Sequence, residues 1–300
     1  MTRKFKTGYS NCAICGGCLD RELLAIREPD RFERHLGVAR DGYLRRWVEC
    51  SGCGAVTNVY PEGVIESLES LASGYYEVDF KSSTIGQKYA VVMSLPAERS
   101  DNAQRVERIQ SFLSEWRSIE GGAKSRAIDI GAGTGVFLSR FLQAASRDGQ
   151  VWSAVAVEPD PVAAEHLRGL GQFSVRQEVF SGKSGLTGFD LCTLNKVIEH
   201  LADPVWLLHE ASSALDPQQG VLYVEVPAKE TLFHRLSDDN ILGALHRHLY
   251  DVVSLNAAIS RAGLVVMRIE RLYEPSGKIS IAAFAVRPEA AEARSRRGAA

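Results

Sequence analysis

AIDIGAGTGVF, residues 127–137, decides how this chain is read. Residues 127–130 have the apolar character of a buried strand end, and Gly131, Gly133 and Gly135 follow at alternate positions. Strand, glycine turn and helix place a ligand at the carboxyl end of the first strand of an open α/β sheet. The register excludes two nucleotide motifs. A G-x-G-x-x-G fingerprint needs its third glycine where Val136 stands. A P-loop needs Gly-Lys-Ser/Thr after four spacers, and none follows; the Gly-Lys-Ser at 182–184 lacks its upstream glycine, which is Gln177.

Working outward, apolar segments alternate with helical ones. Strands are predicted at 127–130, 153–158, 173–177, 189–195, 220–227, 264–272 and 280–286, with helices after the first, second, fourth and fifth. This pattern predicts βαβ units and a mostly parallel sheet. The last two strands are joined by the turn YEPSGK, which predicts an antiparallel hairpin. Upstream, residues 62–122 read as a helical segment, with Val64, Ile65, Leu68 and Leu71 on one face and Val106, Ile109, Phe112, Leu113 and Trp116 on another. The predicted divisions are residues 1–61, 62–122 and 123–287, with 288–300 a frayed tail lacking an apolar face.

Composition narrows the class. In 300 residues, 45% are hydrophobic and 24% charged, which is ordinary for a globular protein. A net charge of −2 provides no basic field to gather nucleic acid. No apolar run approaches the roughly 20 residues that span a bilayer, and no apolar core follows the N-terminal cations, so a cytoplasmic protein is expected.

The second strand ends in Glu158, where a carboxylate accepts hydrogen bonds from a ribose diol and repels a 2′-phosphate. Asp129, just before the glycines, suits a ligand carrying an ammonium or sulfonium charge. IDIGAGTGVF, VEPDP, FDLCTLNKVIEHLADP and GVLYVEVP together resemble, in order and spacing, the class I S-adenosylmethionine-dependent methyltransferases, over about residues 123–286. The resemblance implies a Rossmann-like sheet and S-adenosyl-L-methionine as cofactor. It implies that Gly131, Gly133 and Gly135 let the backbone approach that cofactor, with Asp129 near its aminoacyl end. It also implies that Glu158 holds the ribose, that Pro159 and Asp160 flank the adenine, that Glu178 reaches the adenine amine, and that Asn195 and Lys196 lie beneath the cofactor.

Five of the six cysteines fall in the first 53 residues. In a reducing compartment such clustering favours metal over disulfides. Cys12/Cys15 and Cys50/Cys53 each form C-x-x-C-G, the spacing of a four-thiolate structural zinc site, with Cys18 spare. Pairing Cys15 with Cys18 lacks the following glycine, and a redox dithiol is the remaining alternative. Cys192 reads as a small core hydrophobe. The whole layout is similar to bacterial sugar and natural-product methyltransferases, without their further C-terminal domain.

Methyl transfer to oxygen benefits from a base near neutral pKa, so histidine is the first place to look. The stretch containing His246 and His248 resembles a family segment whose histidine, here His248, is a candidate base; His200 is the second candidate. Tyr75, Tyr76, Tyr89 and Tyr250 are expected around an acceptor pocket. The expected acceptor is a small molecule, a sugar or natural-product intermediate methylated on oxygen or carbon. The alternative is an RNA or protein substrate gripped by the zinc module.

Overall fold

A computed structural model describes residues 11–69, 83–116 and 124–298. Tyr75, Tyr76 and the Gly121-Gly122 break lie outside the described residues. Eleven strands are described: β1 (Leu19–Ile26), β2 (Arg45–Cys50), β3 (Val56–Val59), β4 (Lys124–Ile130), β5 (Val151–Val157), β6 (Ser174–Arg176), β7 (Leu191–Asn195), β8 (Val221–Pro227), β9 (His248–Leu249), β10 (Val265–Tyr273) and β11 (Ile279–Val286).

Seven of these form one sheet in the order β10-β11-β8-β7-β4-β5-β6. Strands β4 to β8 within it pair in parallel, while β11 runs antiparallel between β8 and β10. All seven predicted strands are present, each end within three residues of expectation, and the terminal hairpin is antiparallel. The chain builds outward from β4 through β5 to β6, then returns to β7 on the other side of β4. That reversal opens a crevice at the carboxyl ends of β4 and β7, where open α/β sheets take ligands.

β8 and β11 are buried along their whole length, as strands in the middle of a sheet covered on both faces are. Helix Asp101–Trp116 buries Val106, Ile109, Phe112, Leu113 and Trp116, the predicted face. Phe112 stacks on Phe284 of β11 with ring centroids 4.0 Å apart. Helix Pro161–Leu170 starts where the side chain of Asp160 accepts from the Ala163 amide at 2.9 Å, and ends at Gly171 in the left-handed region. The tail expected to fray is a helix over Pro288–Gly298. Its anchor is Arg294, which stacks over the Trp116 indole and donates to the Trp116 carbonyl at 2.6 Å. That partner is 178 residues away in sequence, so no local pattern signals it. Among the described residues no helix is long and apolar enough to cross a membrane.

A second, antiparallel sheet has the order β1-β2-β3-β9. Its first three strands belong to the cysteine-rich segment, but β9 comes from the connection after β8, with Thr57 opposite His248. The small sheet is therefore completed by a strand from the segment that follows β8 of the large sheet. A buried cluster locks them further. Arg45 donates through Nε to Tyr43 Oη at 2.9 Å and through Nη1 to the Leu242 carbonyl at 2.9 Å, and Tyr43 donates to Glu33. Asp30 accepts from the Ala244 amide at 2.6 Å, and Tyr60 donates to the Ala244 carbonyl at 2.6 Å.

Arg45 Nε also lies 3.7 Å from Glu33 Oε1, with both side chains buried, and removing one partner of a buried ion pair strands the other charge. Arg45→Ala should therefore lower stability by about 3–5 kcal/mol. Arg40→Ala, in an exposed pair with Glu28, should change it by less than about 1 kcal/mol. Urea midpoints compare the two; equal losses would refute the stabilising role of the buried Arg45 cluster.

Candidate functional site

The crevice is a cavity of about 720 Å³. The turn after β4 forms its floor. The amides of Gly131 and Ala132 both donate to the Val157 carbonyl, at 2.8 and 3.2 Å, which folds the loop back over β5. Gly131 has φ +76°, and a Cβ there would lie 2.7 Å from Val197 Cγ2. Gly135 also has φ +76°, and its Cβ would lie 2.6 Å from Leu167 Cδ2. These two positions exclude side chains for local steric reasons as well as for access. Gly131 and Gly133 line the cavity; Gly135 sits behind it, at the start of helix Val136–Arg147.

Glu158 follows β5 and is buried facing the glycine turn. Its Oε2 accepts from the Gly133 amide at 2.8 Å and its Oε1 from the Asp160 amide at 3.0 Å. Burial pushes its carboxyl up, opposed by those two amides. Each oxygen keeps lone-pair capacity for a further donor. Pro159 lines the cavity beside it, while Asp160 caps its helix outside the lining. Glu178 is also in the wall, 3.7 Å from the Arg176 guanidinium.

Asp129 lies at the other end of the glycine turn. Thr193 Oγ1 and Asn195 Nδ2, both on β7, donate to its Oδ1 at 2.6 and 3.0 Å. Burial pushes its carboxyl up to about 7 despite those bonds. Asn195 Oδ1, in the same wall, has no hydrogen-bond partner. Lys196 follows with φ +59°, unusual for a side chain other than glycine. Its ammonium meets Glu274 Oε1 at 3.1 Å and Glu225 Oε1 at 3.4 Å.

Two residues beneath the cavity escaped the sequence reading. Arg105 lines it, donates through Nε to Glu225 Oε2 at 2.9 Å and makes a second bond through Nη2. Burial would raise Glu225, but Arg105 and Lys196 overcome it and hold the carboxyl well below the usual range. The signal was present: Glu225 interrupts the apolar run of β8, and Arg105 shares the stripe of Ile109, Phe112 and Trp116.

The histidines separate. His200 lines the cavity, and its Nδ1 donates to the Leu245 carbonyl at 2.9 Å. His248, the favoured base in the sequence, lies in β9 behind the wall; it is outside the lining and its Nδ1 is 3.3 Å from Thr57 Oγ1. Burial pushes it down to about 4, helped by Arg247. Tyr89 and Tyr250 are likewise outside the lining: Tyr89 donates to Ser139 Oγ at 3.0 Å, and Tyr250 is fully buried.

A second constellation lies in the N-terminal module. The Sγ atoms of Cys12, Cys15, Cys50 and Cys53 lie within 4.8 Å of one another. Cys12 and Cys53 are 3.7 Å apart, and Cys15 and Cys50 3.4 Å. A disulfide would need about 2.05 Å, whereas four sulfurs about 2.3 Å from one zinc would be about 3.8 Å apart. The Gly17 and Gly52 amides donate to Cys15 and Cys50 sulfur at 3.3 and 3.4 Å. A Cβ on Gly17 would come within 3.1 Å of both Cys15 and Cys50 sulfur, so a side chain there would press on the cluster. Cys18 is exposed and outside the cluster. Cys192 is fully buried in the sheet core, and burial pushes its thiol up.

Among solved structures, magnesium protoporphyrin IX methyltransferase from Synechocystis PCC 6803, with bound SAH, is similar with a TM-score of 0.53 and 13% identity, over 73% of this chain and 99% of that one. The carbon methyltransferase CurJ gives a TM-score of 0.51 and 15% identity, over 70% of this chain and 61% of that one. At such identities the likeness is one of fold. No curated protein matches the sequence. Residues 99–269 match the family described as the methyltransferase domain. That span is more than half of the 300 residues and runs from the helix of Arg105 to β10, so the chain belongs to the methyltransferase domain family and is a methyltransferase.

Proposed function

We propose that the enzyme binds S-adenosyl-L-methionine in the β4–β7 crevice and methylates a small-molecule acceptor, a sugar or natural-product intermediate, on oxygen or carbon. The observation that carries the reading is the pair of buried carboxylates at the two ends of the glycine turn. Glu158 offers one free lone pair on each oxygen, matched to the two hydroxyls of a ribose. Asp129 and the unpartnered Asn195 Oδ1 offer acceptors for an ammonium group. Pro159 and Glu178 border the adenine end in this reading, and Lys196 supports the cofactor from below. The bound cofactor supplies an electrophilic methyl on a sulfonium, whose leaving group departs as a neutral thioether.

The chain's own residues then have to hold the acceptor in line and exclude water. A cavity of about 720 Å³ falls in the range of small-ligand sites, which supports a small acceptor. We assign the acceptor-side histidine role to His200, because its ring borders the cavity and His248 does not. Four thiolates at Cys12, Cys15, Cys50 and Cys53 hold a structural Zn²⁺ in this proposal, with no position left open for catalysis.

Calorimetric titration with S-adenosylmethionine and its demethylated product, with NAD as control, tests the cofactor. Both should bind and NAD should not. Glu158→Ala should weaken binding about 10- to 100-fold, the range for hydrogen bonds to a charged group; unchanged affinity sinks the ribose assignment.

Asp129 makes the binding pH-dependent. Its carboxyl is raised to about 7, so below that pH it is protonated and must lose its proton to meet a cation. Affinity should climb with pH, approaching about tenfold per unit well below pH 7, and level off above it. Asp129→Asn should bind more weakly and flatten that climb; a profile identical to the parent would clear Asp129 of the role.

Metal analysis should find about one zinc per chain. Chelation should lower the melting temperature and release the module from the cavity wall, since structural zinc sites contribute folding energy. A chain that melts identically with and without zinc would refute a structural metal.

A further inference from the structure

The wall between β7 and β9 carries a side-chain cluster of which the proposed function uses His200 alone, and as a metal ligand His200 would act on the acceptor through the ion rather than as a free base. Glu199, His200 and His246 bring one carboxylate oxygen and two ring nitrogens within 4.8 Å of one another. Glu199 is fully buried, and neither of its carboxylate oxygens has a hydrogen-bond partner. Buried carboxylates normally have partners, so an orphan asks for a missing cation or donor.

The two imidazoles are set up in the same way. Nδ1 of His200 donates to the Leu245 carbonyl at 2.9 Å, and Nδ1 of His246 to the Ile241 carbonyl at 2.7 Å. A carbonyl only accepts, so both protons sit on Nδ1 and both Nε2 atoms carry lone pairs. Backbone carbonyls orient metal-ligating histidines in this manner. The ring centroids are 4.6 Å apart. Lys196, the nearby ammonium, is already occupied by Glu274 and Glu225.

We propose that Glu199, His200 and His246 bind a divalent transition-metal ion at the acceptor end of the cavity, where its remaining coordination positions take a hydroxyl oxygen of the acceptor. Two imidazoles and one carboxylate suit Mn²⁺, Fe²⁺, Co²⁺ or Zn²⁺ better than the all-oxygen cations Mg²⁺ and Ca²⁺. Ligand atoms about 2.0–2.2 Å from one ion are roughly 3–3.5 Å apart, so small side-chain rotations close the cluster. Three protein ligands leave at least one position open. His200, Leu245 and Arg247 all border the cavity, which directs that position toward the acceptor.

A hydroxyl on such an ion loses its proton more readily. Its oxygen lone pair forms the new O–CH₃ bond as the S–CH₃ bond breaks, the bonding pair goes to sulfur, and the hydroxyl proton passes to solvent. The cation site stands on the cluster's geometry alone; its use on an acceptor oxygen rests on the methyltransferase reading.

The test is titration with Mn²⁺ of the full chain carrying one zinc, that of the four thiolates, followed by the loss of the free-ion electron paramagnetic resonance signal. Mn²⁺ is the probe because thiolate clusters prefer softer ions. About one Mn²⁺ should bind per chain, at least tenfold more weakly in Glu199→Gln and in His246→Ala, with zinc content unchanged. No Mn²⁺ binding by the parent chain, or equal binding by both variants, overturns the site. Catechol, a chelating diol, should alter the spectrum of the bound ion; no change refutes an oxygen acceptor on the metal. Calorimetry with S-adenosylmethionine on the same samples separates the two readings. Mn²⁺ binding without cofactor binding keeps the cation site and removes the proposed S-adenosylmethionine site, and cofactor binding without Mn²⁺ does the reverse.

Discussion

Buried negative charge is the constraint around which this structure is arranged. Asp129, Glu158, Glu199, Glu225 and Glu274 surround one crevice, each less than a tenth exposed. A carboxylate out of water must be paired, hydrogen-bonded or protonated. The five meet that demand differently. Glu225 and Glu274 are neutralised by Arg105 and Lys196, which line the cavity in front of them. Glu158 is held by two backbone amides and Asp129 by two β7 side chains, and each keeps capacity toward the cavity. Glu199 has no such partner, and burial pushes its carboxyl up to about 8. The pairing pattern therefore separates carboxylates neutralised within the protein from those that keep acceptor capacity toward the cavity.

The cysteine-rich module acts on the same crevice from the opposite side. Its cysteines share one apolar core with the large sheet: Cys12, Cys50 and Cys53 pack with Ile128, Leu194 and Tyr250. Its polar contacts converge on residues 241–248. Arg45 holds the Leu242 carbonyl, Asp30 and Tyr60 hold Ala244, and Asn58 donates to the His246 carbonyl at 2.9 Å. Those residues carry Ala244, Leu245 and Arg247 to the cavity wall. Lys229 adds a bridge from Glu49 to Asp251, at 2.9 and 2.5 Å. The module thus buttresses one wall of the crevice, and its stability and the shape of the cavity are linked.

The sequence by itself determined what depends on local chemistry. Alternation of apolar strands and helices fixed seven strands and their direction, because buried parallel strands must be apolar throughout. The glycine turn and Glu158 were legible because left-handed backbone and a carboxylate after a strand leave a mark at fixed spacing. The two C-x-x-C-G turns were legible for the same reason, and their four sulfurs do come together.

Tertiary structure decided what depends on contacts between distant segments. Strand β9 is only two residues long and owes its existence to β3, so it had no periodicity of its own. That strand carries His248 out of the cavity wall and leaves His200 in it. The tail forms a helix on Trp116 despite a weak apolar face. Glu199 and His246, separated by 47 positions and on no common element, meet only because the module pins residues 241–248 against the end of β7. Spacing encodes what one turn of chain can do, and long-range packing selects which of those groups share a cavity.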